Sequence, residues 1–117
     1  MWTVSKEFRF EAAHSLPHLS DGHKCKNLHG HSYKVVVVCA GDLQPDKSWV
    51  VDYAEIKAAT QPLIDHLDHK NLNDILNTHT TAENLAFWFW SRLVTSLPLH
   101  SVEVWETPTT CCTFQPR

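Results

Sequence analysis

Three histidines stand where two neighbouring strands would bring them together. His29 and His31 are two residues apart in a segment with strand character, so both imidazoles leave one face with their bases roughly 7 Å apart. His14 ends a preceding alternating segment on its apolar side, where an antiparallel neighbour would set it beside the pair. Three imidazoles suit Zn2+, which they hold at about 2.0 to 2.1 Å while a fourth tetrahedral position stays available to water or substrate. An ion so held acidifies a bound hydroxyl. Cys25, four residues before His29, keeps a second arrangement open. A Cys-x-x-x-His-x-His site completed by His14 would be closed, and its zinc structural. Flanked by Lys24 and Lys26, the same thiol is equally suited to serve as a base.

Other reactive side chains are more scattered. Asp68 directly precedes His69, which allows a carboxylate to orient or charge an imidazole that then moves a proton; the pair would also serve as a surface cap at a helix end. Glu106 shares strand parity with Val102 and Val104, so a carboxylate ends an apolar row. Thr80 with Glu83 has the spacing of a capping box. Cys39, Cys111 and Cys112 have no evident chemistry: the last two are adjacent and Cys39 sits in a valine run, so reduced thiols are expected.

The elements that position these groups follow from periodicity. Residues 4–14 alternate, with Val4, Phe8, Phe10, Ala12 and His14 on one side and Lys6 breaking that side, which predicts a half-buried strand. A loop with Pro17 and Gly22 leads to a second strand, about residues 29–39, whose run Val35, Val36, Val37, Val38 predicts burial on both faces. Gly30 leaves the opposite face open to close approach. Asp52 with Glu55 starts a helix over about residues 53–66, with Ile56, Ala59, Leu63 and Leu67 as its apolar face; Pro62 predicts a kink or an early end. Thr80 with Glu83 starts a second helix that runs to about Val94, with Leu85, Phe89 and Leu93, and Ala82 and Ala86, on its apolar face. Two short strands, about residues 101–106 and 111–115, flank a turn at Pro108. The expected architecture is α+β, an antiparallel four-stranded sheet with two helices on one face in the order ββααββ. Four consecutive aromatics, Phe87, Trp88, Phe89 and Trp90, cannot all face one sheet, so a second surface or an oligomer interface must cover some of them.

A chain of 117 residues supports one core, hence a single domain over residues 1–117. The formal charge of −3 argues against a nucleic-acid surface, which needs clustered Lys and Arg. The longest apolar runs are far shorter than the roughly 20 residues of a spanning helix, and the first nine residues lack a secretory pattern. A soluble, cytoplasmic protein with a small-molecule partner, and neither membrane nor nucleic acid, is expected. Five of the nine histidines fall within residues 14–31, which is where the chemistry concentrates.

Five ordered motifs carry more than spacing: Phe8-Arg-Phe-Glu-Ala-Ala-His14, Gly22-His-Lys-Cys25-Lys-Asn-Leu-His29-Gly-His31, Leu67-Asp68-His69-Lys-Asn-Leu-Asn73, Thr80-Thr-Ala-Glu83-Asn-Leu-Ala, and Trp105-Glu106-Thr107. Together they resemble the 6-pyruvoyltetrahydropterin synthase family over nearly the whole chain. The short spacing from Cys25 to His29 resembles its bacterial 6-carboxy-5,6,7,8-tetrahydropterin synthase branch of the queuosine pathway. The resemblance implies a tunnelling fold (T-fold), usually a homohexamer with active sites between subunits. It implies 7,8-dihydroneopterin triphosphate as substrate, converted to 6-carboxy-5,6,7,8-tetrahydropterin, acetaldehyde and triphosphate. His14, His29 and His31 match the family's zinc ligands and Cys25 its catalytic cysteine. Asp68 and His69 match the second proton-transfer pair, and Glu106 the carboxylate that anchors the pterin. Thr80, Thr81 and Glu83 are expected near the pterin by the same match. The pyruvoyl-forming reaction and a non-catalytic zinc-stabilised pterin-binding module are the rival readings.

Overall fold

Alternating apolar residues and the branched run that follows them form a long antiparallel ladder. In the computed structural model, which describes residues 1–117, β1 (Trp2–His14) pairs along its whole length with β2 (His29–Gly41). Next come α1 (Tyr53–Leu67), β3 (Lys70–Asn71), α2 (Ala82–Leu93), β4 (Leu99–Thr107) and β5 (Thr110–Phe114), with 3-10 turns at Lys24–Lys26 and Leu72–Asp74. The sheet has five strands in the order β3-β1-β2-β4-β5, and the element order is ββαβαββ, not the expected four-stranded ββααββ. The addition is β3, two residues paired in parallel with Ala12 and Ala13 of β1. So short a strand has no periodicity for the sequence to display.

Register builds the core. Phe8 lies opposite Val35, Phe10 opposite Tyr33, Val35 opposite Val104 and Val37 opposite Val102, so one face presents apolar rows to both helices. Ile56, Ile64 and Leu67 of α1 and Leu85, Phe89 and Leu93 of α2 are buried against them. Each fully buried Leu, Ile or Phe contributes about 1.5 to 3 kcal/mol by leaving water. The valine run is not buried on both faces: Val35 and Val37 are fully buried, whereas Val36 and Val38 remain half-buried on the face away from the helices. There Val36 lies between Glu7 and Glu103, and Val38 between Ser5 and Ser101, so β-branching here satisfies the strand without demanding a second core.

Two further expectations change. Pro62 does not end α1, which continues five residues to Leu67. Pro62 and Ala58, whose carbonyl loses its donor, both lie on the exposed side, so that carbonyl faces water while Ile64 and Leu67 hold the last turn in the core. The helix α2 is capped by Thr81, whose Oγ1 accepts the Asn84 N–H at 3.2 Å; Thr80 and Glu83 form no capping box. Of the four aromatics, Trp88 and Phe89 are buried, Trp90 is half-buried, and Phe87 stays 53% exposed.

Candidate metal centre

The ladder that sets Phe10 opposite Tyr33 continues to Ala12 opposite His31 and His14 opposite His29. All three histidines therefore leave the helix side of the sheet at one end, and one ligand nitrogen from each lies within 4.8 Å of the others. Cys25 is not part of this converging group.

Hydrogen bonds decide which nitrogen each ring offers. His14 Nδ1 donates to the Thr80 carbonyl at 2.8 Å, and His29 Nδ1 donates to the Asn27 carbonyl at 2.7 Å. A carbonyl only accepts, so in both rings the proton sits on Nδ1 and the Nε2 lone pair is left for a ligand. The Nε2 atoms of His14 and His31 are buried and have no hydrogen-bond partner. Unpaired buried nitrogens are costly, and a metal is the partner that satisfies several converging lone pairs at once. Burial also lowers the pKa of both histidines below the ordinary value, with nearby Glu106 opposing the shift. Both rings are thereby kept neutral and ready to ligate. The donor set fits Zn2+.

Glu106 lies on the same side, with Oε2 3.3 Å from His31 Nε2 and 3.6 Å from His14 Nε2. A groove of about 460 Å3 opens beside Glu106 and His31, lined also by Arg9, Lys34 and Trp105. Lys34 sits 4.2 Å over the Trp105 ring. Cys25 lies in the Lys24–Lys26 turn, half-buried, with its N–H donated to His23 Nδ1 at 3.1 Å and its carbonyl accepting the Leu16 N–H at 2.9 Å. Of its flanking cations, Lys26 is bonded to Asp21.

Asp68 and His69 do face one another, His69 Nδ1 lying 3.0 Å from Asp68 Oδ2. Asp68 Oδ1 accepts the Glu11 N–H at 2.9 Å, and the His69 N–H donates to the Glu11 carbonyl at 2.6 Å. This clamp holds His69 at φ 58°, a left-handed conformation that a side chain adopts only when its surroundings impose it. His69 lines a groove of about 540 Å3 with Lys70, Asn71, Glu11, Gly30, His31 and Ser32. This groove reaches His31, which also lines the groove beside Glu106. Thr80 is buried behind His14, Thr81 caps α2, and Glu83 is exposed on its first turn.

Sequence reasoning missed the carbonyls of Asn27 and Thr80, because a backbone acceptor has no residue signature. It also missed Tyr33, 1% exposed, whose ring packs edge-on against His31 at 5.4 Å. Its parity with His29 and His31 was the available signal.

An α+β sheet backed by two helices, with three imidazoles converging at one end, defines a class. The chain belongs to the 6-pyruvoyl tetrahydropterin synthase family, whose model matches residues 3–117. Among particular relatives, it is 44% identical to 6-carboxy-5,6,7,8-tetrahydropterin synthase of Synechocystis sp., covering 100% of this chain and 96% of that protein. It is 35% identical to the protein of the same name from Haemophilus influenzae, covering 98% and 99%. The structure of Caenorhabditis elegans 6-pyruvoyl tetrahydropterin synthase superposes with a TM-score of 0.89 at 30% identity, over 99% of this chain and 96% of that one. The fold is therefore the T-fold of that family. No helix is long and apolar enough to cross a membrane.

Proposed function

We propose that this protein is a zinc-dependent 6-carboxy-5,6,7,8-tetrahydropterin synthase acting on 7,8-dihydroneopterin triphosphate in the synthesis of queuosine-type 7-deazapurines. The observation that carries the reading is the converging triad, two of whose Nε2 atoms are buried without a partner, in a chain whose relatives include two proteins of that name. His14, His29 and His31 hold the ion, which when bound supplies Lewis acidity toward a side-chain hydroxyl. Glu106 offers two oxygens to the adjacent ring and amino N–H donors of the pterin, a pairing that fixes its orientation. Thr80 acts here through His14, and Thr81 and Glu83 border the ring from the start of α2. Cys25 and His69, the latter oriented by Asp68, move protons between side chain and ring. In a homohexamer the Asp68–His69 pair serves a neighbouring subunit's site, with Phe87 among the contacts between copies.

The chemistry balances without an external oxidant. Triphosphate leaves C3′, the C1′–C2′ bond breaks, and C2′ and C3′ depart as acetaldehyde. Water supplies the second oxygen of the carboxylate at C1′, and the electrons released there reduce the ring N5–C6 double bond. The test is incubation of zinc-loaded protein with 7,8-dihydroneopterin triphosphate, following pterins and acetaldehyde. The proposal expects both acetaldehyde and a carboxylated tetrahydropterin. Triphosphate release with a pyruvoyl product and no acetaldehyde would establish the rival reaction instead.

A further inference from the structure

We infer that Glu106 is a displaceable fourth ligand, closing the metal's coordination shell in the resting protein and leaving it when a pterin ring claims the same carboxylate. The inference rests on the proposed function for the identities of ion and heterocycle, but its geometry stands by itself. A tetrahedral Zn2+ at ordinary bond lengths sets its nitrogen and oxygen ligands about 3.3 to 3.5 Å apart along each edge. Glu106 Oε2 lies 3.3 Å from His31 Nε2 and 3.6 Å from His14 Nε2, close to two of the six edges of such a tetrahedron.

No hydrogen bond accounts for this approach. His14 gives its only neutral-ring proton, on Nδ1, to the Thr80 carbonyl, so its Nε2 presents a lone pair to a carboxylate oxygen. Two acceptors face each other, and neither Nε2 atom has a hydrogen-bond partner. A cation placed between them turns that repulsion into ligation.

Local backbone explains how the carboxylate arrives. Glu106 continues the row of Val102 and Val104 on the helix side of β4, at the point where the β4–β5 register skips between Trp105 and Thr107. Trp105 is held on the opposite face by its Nε1–H bond to Glu103 Oε1 at 3.1 Å. The Glu106 side chain is 28% exposed and that of His14 1%, so an incoming ring can reach the carboxylate but not the imidazole. The shell would then open only when a ring is seated.

The test uses the full-length protein loaded with Co2+, whose visible spectrum reports the ligand set, together with Zn2+ affinity measured by chelator competition. Glu106→Gln should change the Co2+ spectrum and weaken Zn2+ binding at least about tenfold, with Glu106→Asp falling between. Unsubstituted pterin, which has no side-chain hydroxyl, should move the wild-type spectrum toward that of Glu106→Gln. Superimposable spectra and equal Zn2+ affinities in all three proteins overturn the inference while leaving the triad intact. A wild-type spectrum unmoved by pterin that fluorescence shows to be bound overturns displacement. Failure to take up Co2+ at all sinks the metal reading itself, whereas a missing acetaldehyde product touches only the reaction.

Discussion

The ring of His14 and the carbonyl of Thr80, 66 residues apart in sequence, are joined by a 2.8 Å hydrogen bond from Nδ1. The end of β1 is thereby fixed to the residue before the α2 cap, and a ligand is oriented by backbone that substitution cannot remove. His14 is 1% exposed, whereas His29 is only partly buried. Both His14→Ala and His29→Ala should abolish metal binding. In urea unfolding of metal-free protein, His14→Ala should lose about 2 to 4 kcal/mol, for cavity and orphaned acceptor together. His29→Ala should lose about 1 kcal/mol or less. Equal losses would show that His14 has no structural share.

Cys25 stands outside the converging nitrogens. Cys25→Ala should retain one zinc per chain by metal analysis while kcat falls about 10²- to 10⁴-fold, the usual value of a positioned base. Loss of zinc in that variant would instead make the thiol a ligand.

The Asp68 carboxylate is held below its ordinary pKa of 3.8, first by the Glu11 N–H and then by His69. A depressed carboxylate contributes stability that is complete above its unfolded value and lost as pH falls through the folded one. Melting temperatures should therefore show wild type above Asp68→Asn at neutral pH, with the gap closing below about pH 4. A gap that persists at lower pH would mean that geometry, not charge, makes the clamp.

Chelation should lower the melting temperature at neutral pH, because bound metal favours the folded state alone. Burial holds the imidazoles of His14 and His31 below 6.5, so as pH falls unfolded chains take up protons before folded ones do. The metal-free protein should hold its stability above about pH 6.5 and lose it progressively below. The benefit of metal should shrink over the same range, since protons compete for the same nitrogens. Calorimetry from about pH 8 to about pH 5, with and without chelator, checks both statements.

Phe87 is 53% exposed and meets Phe114 at 5.2 Å between ring centroids. Phe87→Ser should leave the fold unchanged by circular dichroism while reducing the sedimentation coefficient. Unaltered assembly would place the subunit contacts elsewhere.

Much of this molecule was legible because strand parity is a strict rule. Once His14, His29 and His31 were assigned to two antiparallel strands, only their register remained, and His14 opposite His29 satisfies it. What was not legible depended on contacts between distant segments. The two-residue β3 exists because Asp68 and His69 grip Glu11 across the chain, and neither residue reveals that alone. Thr80 and Glu83 had correct capping spacing, but His14 takes the Thr80 carbonyl and the cap moves one residue to Thr81. Pro62 misled because the cost of a missing helix bond depends on whether the freed carbonyl meets water. Val36 and Val38 misled because branched side chains favour strands whether or not a second layer covers them.

His14 and His29 face each other across the end of the β1–β2 ladder, and everything between them, residues 15–28, is one loop with Cys25 near its far end. An ion shared by these two histidines is a cross-link across that loop. It ties the two ends of the loop together in the folded protein for as long as the ion is bound, reversibly and without oxidation. Filling the centre and stiffening the segment that bears the thiol would therefore be one thermodynamic event. Hydrogen exchange in residues 15–28 should slow when metal is added, before any substrate is present.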